Sequence, residues 1–271
     1  VARFNYKLVY EPPFARNKVT ERVVYNAFYR GNCFKCFGGT VIGEYMMSGK
    51  GWDPQIKLLL EDCLKRKDGD KVSVVEVGAN IGASLIPICS FFPNVTFHMF
   101  EPIHEFFSLL QENRVSYGCE NVCLHNVAVS SENNAEVTIQ SDIGNAGKII
   151  IDGPIINKVR VRSRTLDSLF PDKNVAFLKI DVDGYEMAVI EGAKGLIARS
   201  RPDVFMEFYP KLIRQMSADP GELLSLLVQC GLTVFDVYSN AGELIKSSVN
   251  AGYVLVIAES VPHYVDILAR E

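Results

Sequence analysis

Short apolar runs alternate with helix-period stretches along most of this chain, and that alternation predicts a parallel β-sheet joined by crossover helices. VSVVEV (72–77) reads as a strand buried on both faces, NVTFHMF (94–100) as the second and NVCLHNVAV (121–129) as the third. VAFLKI (175–180) resumes the centre of the sheet and DVFMEF (203–208) follows it. Helices are predicted over 82–92, where Pro87 falls near the first turn, and over 103–115. A further one places Val189, Ile190, Ala193, Leu196 and Ile197 on one face, with Asp183 and Glu186 spaced as a capping box at its start. Asp219, Pro220 and Glu222 open another helix, ending at Gly231. LTVFDVY (232–238), the turn SNAG and YVLVIA (253–258) predict a closing hairpin, which puts an antiparallel strand at the end of a parallel sheet.

Two stretches break the alternation. Residues 1–50 are rich in aromatics and glycine without a period and read as an N-terminal capping segment over a site or an interface. The main domain then runs over 51–271, opening with a helix built on Ile56, Leu58, Leu59, Leu60 and Leu64 that ends at the charged turn 65–70. Within it, 134–164 contains the β-type runs EVTIQ, KIII and NKVRVRS separated by SDIGNAG and DGPI, an inserted hairpin or edge meander beside the expected site.

Composition narrows the partners. A net charge of −4 on 271 residues provides no basic field for phosphates, so nucleic acid is not expected. The longest apolar stretch, 72–100, is interrupted by Glu76, Asn80, Pro87, Pro93, Asn94 and His98, and falls short of the ~20 apolar residues of a bilayer span. The first residues, VARFNYKLVYEPPF, lack the apolar core of a signal peptide, and a cytoplasmic setting is the default expectation. Seven dispersed cysteines suggest reduced thiols. Cys33 and Cys36 with Cys119 and Cys123 have spacings from which a four-thiolate zinc site could be built; alternatively Cys119 and Cys123 are small apolar residues flanking a buried strand.

The candidate chemistry sits at strand ends. Glu76-Val77-Gly78-Ala79-Asn80-Ile81-Gly82 lies where a buried strand turns toward a helix, and glycines there let backbone approach a ligand closely. Its G-x-x-x-G spacing lacks the middle glycine of a dinucleotide pyrophosphate loop, which disfavours a nicotinamide cofactor. Glu101 ends the second strand, where a carboxylate can accept both hydroxyls of a ribose, although an acid there also suits a helix start with Pro102. Asn126 ends the third strand, placed either to bond a base edge or simply to make a turn. Asp181 ends the central strand as a candidate base or orienting group, with Lys179 and Glu207 on similar strand ends. Lys179 and Glu207 could equally form a buried pair, and Asp181 with Glu207 could hold Mg²⁺, but two carboxylates are too few to assign a metal. His98 and His125, within strands, read as packed residues; His104 follows Glu101 closely enough to reach the same site.

These motifs together resemble the FkbM family of methyltransferases, from about Gly43 to Tyr209. The family's acidic residue followed by G-A-N-x-G is met by Glu76, Gly78, Ala79, Asn80 and Gly82, and its F-E-P by Phe100, Glu101 and Pro102. Its T-L-D is met at 165–167, its L-K-I-D-x-E-G-x-E at 178–186, its G-A at Gly192 and Ala193, and its R-P with a later glutamate by Arg201, Pro202 and Glu207. Asp183 replaces the usual glutamate and Glu76 the commoner aspartate. The resemblance implies a Rossmann-like α/β class I methyltransferase fold, with a mostly parallel seven-stranded sheet, helices on both faces and a terminal antiparallel hairpin. It implies S-adenosylmethionine as cofactor, held by Glu76, Gly78, Ala79, Asn80, Gly82, Glu101, Pro102 and Asp181, with Asn126 added from its place at the end of the third strand. The expected reaction is methylation of a hydroxyl on a sugar or other small molecule. Two alternatives remain open: a binding or scaffold domain that has lost turnover, and a nicotinamide-dependent oxidoreductase.

Overall fold

A computed structural model of the chain describes residues 23–67, 72–141 and 157–271. It begins with a two-stranded antiparallel ribbon, β1 (Val24–Tyr29) and β2 (Asn32–Phe37). Helix α1 (Val41–Met47) follows, its start fixed by the Thr40 hydroxyl accepting from the Gly43 N–H, and then α2 (Ile56–Arg66), which buries Ile56, Leu60 and Cys63. The sheet starts with β3 (Ser73–Val77), a 3₁₀ helix over Ile86–Phe91, β4 (Thr96–Phe100), α3 (His104–Ser116) and β5 (Val122–His125). A side sheet comprises β6 (Ala128–Val129), β7 (Glu136–Ser141) and β8 (Asn157–Arg164), β7 and β8 pairing antiparallel. The chain continues through α4 (Leu166–Leu169), β9 (Val175–Ile180), α5 (Glu186–Glu191), α6 (Lys194–Ser200), β10 (Asp203–Phe208), α7 (Pro210–Gln215) and α8 (Pro220–Gln229). It closes with β11 (Val234–Ser239), β12 (Leu244–Val249), α9 (Ala251–Ser260) and β13 (Val265–Arg270).

The main sheet has the order β12-β11-β13-β10-β9-β3-β4-β5. Neighbours from β10 to β5 are parallel, whereas β13 runs antiparallel between β10 and β11. This is the Rossmann-like α/β fold expected, with eight strands in place of seven because β12 adds an exposed edge. Alternation along each strand builds two cores. Val74, Phe97, Phe177 and Phe205 face the layer of α2, α3 and the N-terminal ribbon, while Val75, Phe100, Leu178 and Met206 face α5 to α9. Each such side chain contributes about 1.5–3 kcal/mol of hydrophobic stabilisation, and β3 and β9 are buried along their whole length.

Several elements differ from the expectation. YVLVIA is not a strand. Asn250 caps it by accepting from the Tyr253 N–H, and Val254 and Ala258, four apart, bury one side of α9. A run of β-branched residues satisfies either period, and tertiary packing selects the helix. The antiparallel strand is therefore β13, and the partner of β11 across the turn is β12. The segment 82–92 forms only the 3₁₀ turn. The helix built on Val189 to Ile197 is broken into α5 and α6, and the expected capping box does not form: Glu186 accepts from the N–H groups of Val182 and Gly184 instead. The capped helix at Asp219 forms as expected. EVTIQ and NKVRVRS form the β7–β8 pair; the KIII run and the DGPI connection lie outside the described residues, as do residues 1–22 of the capping segment and 68–70 of the charged turn. Cys89 and Cys119 are joined in a disulfide, which corrects the expectation of reduced thiols and removes Cys119 from any four-thiolate group. Cys33, Cys36, Cys63, Cys123 and Cys230 are free.

Candidate functional site

The C-terminal ends of parallel strands leave backbone groups and side chains facing a crevice, the usual ligand position in an open α/β sheet. Here β3 and β4 are tied at that edge by Gly78 and Ala79, whose N–H groups both donate to the Phe100 carbonyl, and β9 is tied to β3 by the Asp181 N–H donating to the Val77 carbonyl. Above them lies a cavity of about 470 Å³, within the size range of cofactor sites. Its wall includes Gly78 and Asn80 after β3, Glu101 and Pro102 after β4, Asp181 after β9 and Glu207 on β10. Ile42 and Trp52 close it from the N-terminal segment, Val137 and Ile139 from the inserted hairpin, and His263 and Tyr264 from the loop before β13.

Glu101 is 4% exposed. One carboxylate oxygen accepts from the Asn80 N–H at 2.9 Å and the other from the Ile103 N–H at 2.7 Å. Burial pushes its pKa up to about 7, against the lowering effect of those two N–H groups. The carboxylate thus fixes the loop that follows β3, and each oxygen keeps a further lone pair for a ligand on the cavity side. Asn80 takes a left-handed conformation, φ 52°, that asparagine tolerates better than most residues. Gly78 has φ +84°, and a Cβ there would lie 1.9 Å from the Asp181 carbonyl oxygen. Its glycine is required first by the neighbouring strand.

Lys179 is the buried cation beneath the cavity, not part of its wall. Its Nζ lies 3.0 Å from Asp181, 3.3 Å from Asp53 and 3.4 Å from Glu76. Burial alone would lower its pKa, but Asp181, Asp53 and Glu76 outweigh that and hold it well above the ordinary lysine value. It stays protonated and cannot serve as a base. The alternative pairing of Lys179 with Glu207 is not formed; their side chains do not meet. Glu76 is 1% exposed, with its pKa raised to about 7 by burial despite Lys179, and sits under the wall too. Glu207 has its pKa raised well above the carboxylate range by burial and by Asp181, Asp183, Glu186 and Asp266.

Of the residues expected at the site, Gly78, Asn80, Glu101, Pro102, Asp181 and Glu207 therefore share one cavity, whereas Glu76, Ala79, Gly82, Asn126 and Lys179 do not line it. Ala79 packs into the core, and a Cβ on Gly82 would meet Ile86 and Leu110 at 2.6 Å, so both serve the turn. Asn126 donates its amide hydrogens to the carbonyls of Glu101 and Pro102, making turn chemistry rather than an open base contact. His98 and His125 stack on each other within the fold, as expected, and His104 is exposed outside the wall. Among the described residues no group of three or more His, Cys, Asp or Glu side chains is placed to hold a metal ion. The important residue missed from sequence is Asp53. It takes φ 46°, accepts from the Ser84 hydroxyl at 2.6 Å and reaches Lys179, linking the N-terminal segment to the sheet. An Asp before Pro54 carries no local sign beyond a turn.

Among the described residues no helix is long and apolar enough to cross a membrane. No curated protein matches the chain significantly. Among solved structures, the chain is similar to a methyltransferase FkbM from Methylobacillus flagellatus KT, at 18% identity over 68% of this chain and 46% of that one, TM-score 0.44. It is also similar to a SAM-dependent O-methyltransferase from Thermotoga maritima, at 13% identity over 80% of this chain and 65% of that one, TM-score 0.41. A third is an O-methyltransferase from Bacillus cereus in complex with SAH, at 12% identity over 81% of this chain and 80% of that one, TM-score 0.44. The chain thus spans about half the length of the Methylobacillus protein. The model of the Methyltransferase FkbM domain matches residues 76–233, more than half of the sequence, from the acidic residue of the first strand end to the start of β11. The chain belongs to the FkbM family of methyltransferases, and its cofactor is S-adenosylmethionine.

Proposed function

We propose that this chain methylates a hydroxyl on a small-molecule acceptor, using the cavity at the C-terminal edge of the sheet. The observation that carries the reading is Glu101: a buried carboxylate on the cavity wall, already holding the β3 loop, with lone pairs left for two ribose hydroxyls. The residues fit the cofactor. Gly78 and Asn80 present a loop without bulk, and the wall continues over Pro102 and Ile103 to form an apolar side for a base. Bound there, S-adenosylmethionine supplies an electrophilic methyl group.

The chain's own residues do the rest. Asp181 faces the cavity and holds or accepts a proton at its carboxylate, with Lys179 fixing that carboxylate from below. Lys179 is accordingly a positioning residue. Glu207 lies two strands from Gly78, roughly 10 Å along the sheet at ~4.8 Å per strand, which assigns it to the acceptor side. Trp52 and the inserted hairpin cover the site and restrict water. Titration calorimetry with S-adenosylmethionine, S-adenosylhomocysteine and NAD tests the reading: the first two should bind and NAD should not. Binding of NAD alone would replace it with the oxidoreductase reading.

A further inference from the structure

Two turns at the cavity edge are each held by a buried carboxylate. Glu101 holds the one after β3, and Glu186, at the first position of α5, holds the one after β9. One Glu186 oxygen accepts from the Val182 N–H at 3.4 Å and from the Gly184 N–H at 3.1 Å, and the residue is 2% exposed. Asp181, Val182, Asp183 and Tyr185 of that turn all line the cavity. Asp183 and Gly184 both take positive φ, 51° and 101°, a conformation that an aspartate keeps only where its surroundings impose it. The other Glu186 oxygen is buried without a hydrogen-bond partner among the described residues. A leucine or methionine would fill the same space without that penalty, so packing alone does not account for an acid here. The sheet order fixes what the turn faces. β9 lies one strand from β3 and two from β4, which puts the turn roughly 10 Å from Glu101 at ~4.8 Å per strand, with Glu207 on β10 beyond it. A nucleoside held at Glu101 occupies the ends of β4 and β3, and the amino-acid tail of the cofactor then reaches toward β9. The turn therefore stands between the cofactor's nucleoside and the acceptor side.

We propose that Glu186 is a positioning residue for methyl transfer: by accepting the Val182 and Gly184 N–H groups it holds the turn that sets Asp181, Asp183 and Tyr185 against the tail of the cofactor. It touches no reacting atom and acts through the turn alone. The proposal rests on the methyltransferase reading and deepens it. Burial pushes the Glu186 carboxyl up to about 7, against its own N–H and that of Gly184, so pH 8 keeps it in the ionised form that accepts these bonds best.

The test compares two probes at pH 8: S-adenosylhomocysteine, which carries the amino-acid tail, and 5′-methylthioadenosine, which keeps the nucleoside and the sulfur but lacks the tail. Trp52, the only tryptophan of the chain, lies on the cavity wall and reports binding by its fluorescence. Glu186→Leu should weaken S-adenosylhomocysteine about tenfold, the effect of losing one charge-assisted bond, and leave 5′-methylthioadenosine within about twofold. Glu186→Asp, whose shorter side chain withdraws the carboxylate from the two N–H groups, should act in the same direction. Glu186→Gln, which keeps an acceptor oxygen in place, should restore most of the affinity. Unchanged binding of S-adenosylhomocysteine in the Leu and Asp variants, equal weakening of both probes, or a Gln variant as weak as Leu would overturn the inference. So would wild type that binds S-adenosylhomocysteine but not the truncated probe, since the nucleoside would then not be held apart from the tail. If Glu186→Leu does not fold, Glu186→Asp decides alone, and failure of both to fold assigns Glu186 to stability and overturns the inference. In all these cases the methyltransferase reading stands; it falls, and the inference with it, only if wild type does not bind S-adenosylhomocysteine.

Discussion

Protonation of Glu101 should control cofactor affinity near neutral pH. Burial raises its pKa to about 7, and two ribose hydroxyls can donate only to a carboxylate with open lone pairs, so binding favours the ionised form. The sign follows: as pH falls through about 7 the neutral form takes over and affinity drops. With a pKa of about 7 the ionised fraction falls roughly tenfold between pH 8 and pH 6, so the dissociation constant for S-adenosylhomocysteine should rise by up to about tenfold over that range. Glu101→Gln separates this from other titrations. Its amide puts an NH₂ against the N–H of either Asn80 or Ile103, and the charge-assisted bonds to the ligand go as well. Loss of one such bond, about 1.5–3 kcal/mol, weakens binding about tenfold to a hundredfold at pH 8. Calorimetry at pH 6, 7 and 8 on both proteins measures the two effects together. A flat profile in the wild type, or the same slope retained in Glu101→Gln, would refute the assignment of this titration to Glu101.

Gly78→Ala should lower thermal stability by at least about 2 kcal/mol without any ligand present, because its Cβ meets the Asp181 carbonyl at a positive φ; an unchanged melting temperature would contradict that contact. Lys179→Met leaves Asp181, Asp53 and Glu76 without their shared cation and should cost about 3–5 kcal/mol in denaturant unfolding, whereas a loss under about 1 kcal/mol would mean the carboxylates are neutral in the folded protein. Cys119→Ser opens a link spanning 30 residues and should cost about 3–4 kcal/mol, matched by wild type in reductant; a melting temperature insensitive to reductant would count against the bond.

Strands buried on both faces were readable because their apolar runs have no competing period: β3, β4, β9 and β10 lie where VSVVEV, NVTFHMF, VAFLKI and DVFMEF place them. The closing region was not, since YVLVIA suits strand and helix alike and only the packing of α9 through Val254 and Ala258 decides. The site divides in the same way. Residues at strand ends, Gly78, Glu101, Asp181 and Glu207, reach one cavity because topology alone brings those ends together. Asn126 and Gly82 carry equally suggestive spacing, but their partners are backbone carbonyls in one case and Ile86 and Leu110 in the other, which no linear pattern reveals. Cys89 and Cys119 are 30 residues apart, and their pairing depends on how the 3₁₀ turn docks beside the end of α3.

The N-terminal segment owes its place over the cavity to polar tethers as well as to apolar contact; besides the hydroxyls of Ser116 and Tyr117 donating to the Cys33 and Tyr29 carbonyls, two reach the site directly. Asn113, fully buried on α3, donates to the carbonyls of Lys35 on β2 and Ile81 in the β3 loop, and accepts from the Lys35 N–H. Asp53 does the same work at the other end of the segment, through Ser84 and Lys179. Each tether joins the segment to a residue within a few positions of the cofactor loop or of Asp181, so the wall that Trp52 provides cannot shift without disturbing the groups that face the ligand. A buried amide left unpaired costs about 1–3 kcal/mol, which makes detachment of the segment expensive compared with ordinary loop motion. The cap and the β3 loop therefore act as one unit, and that coupling explains both a fully buried asparagine at position 113 and the place of Asp53 beside Ser84 and Lys179.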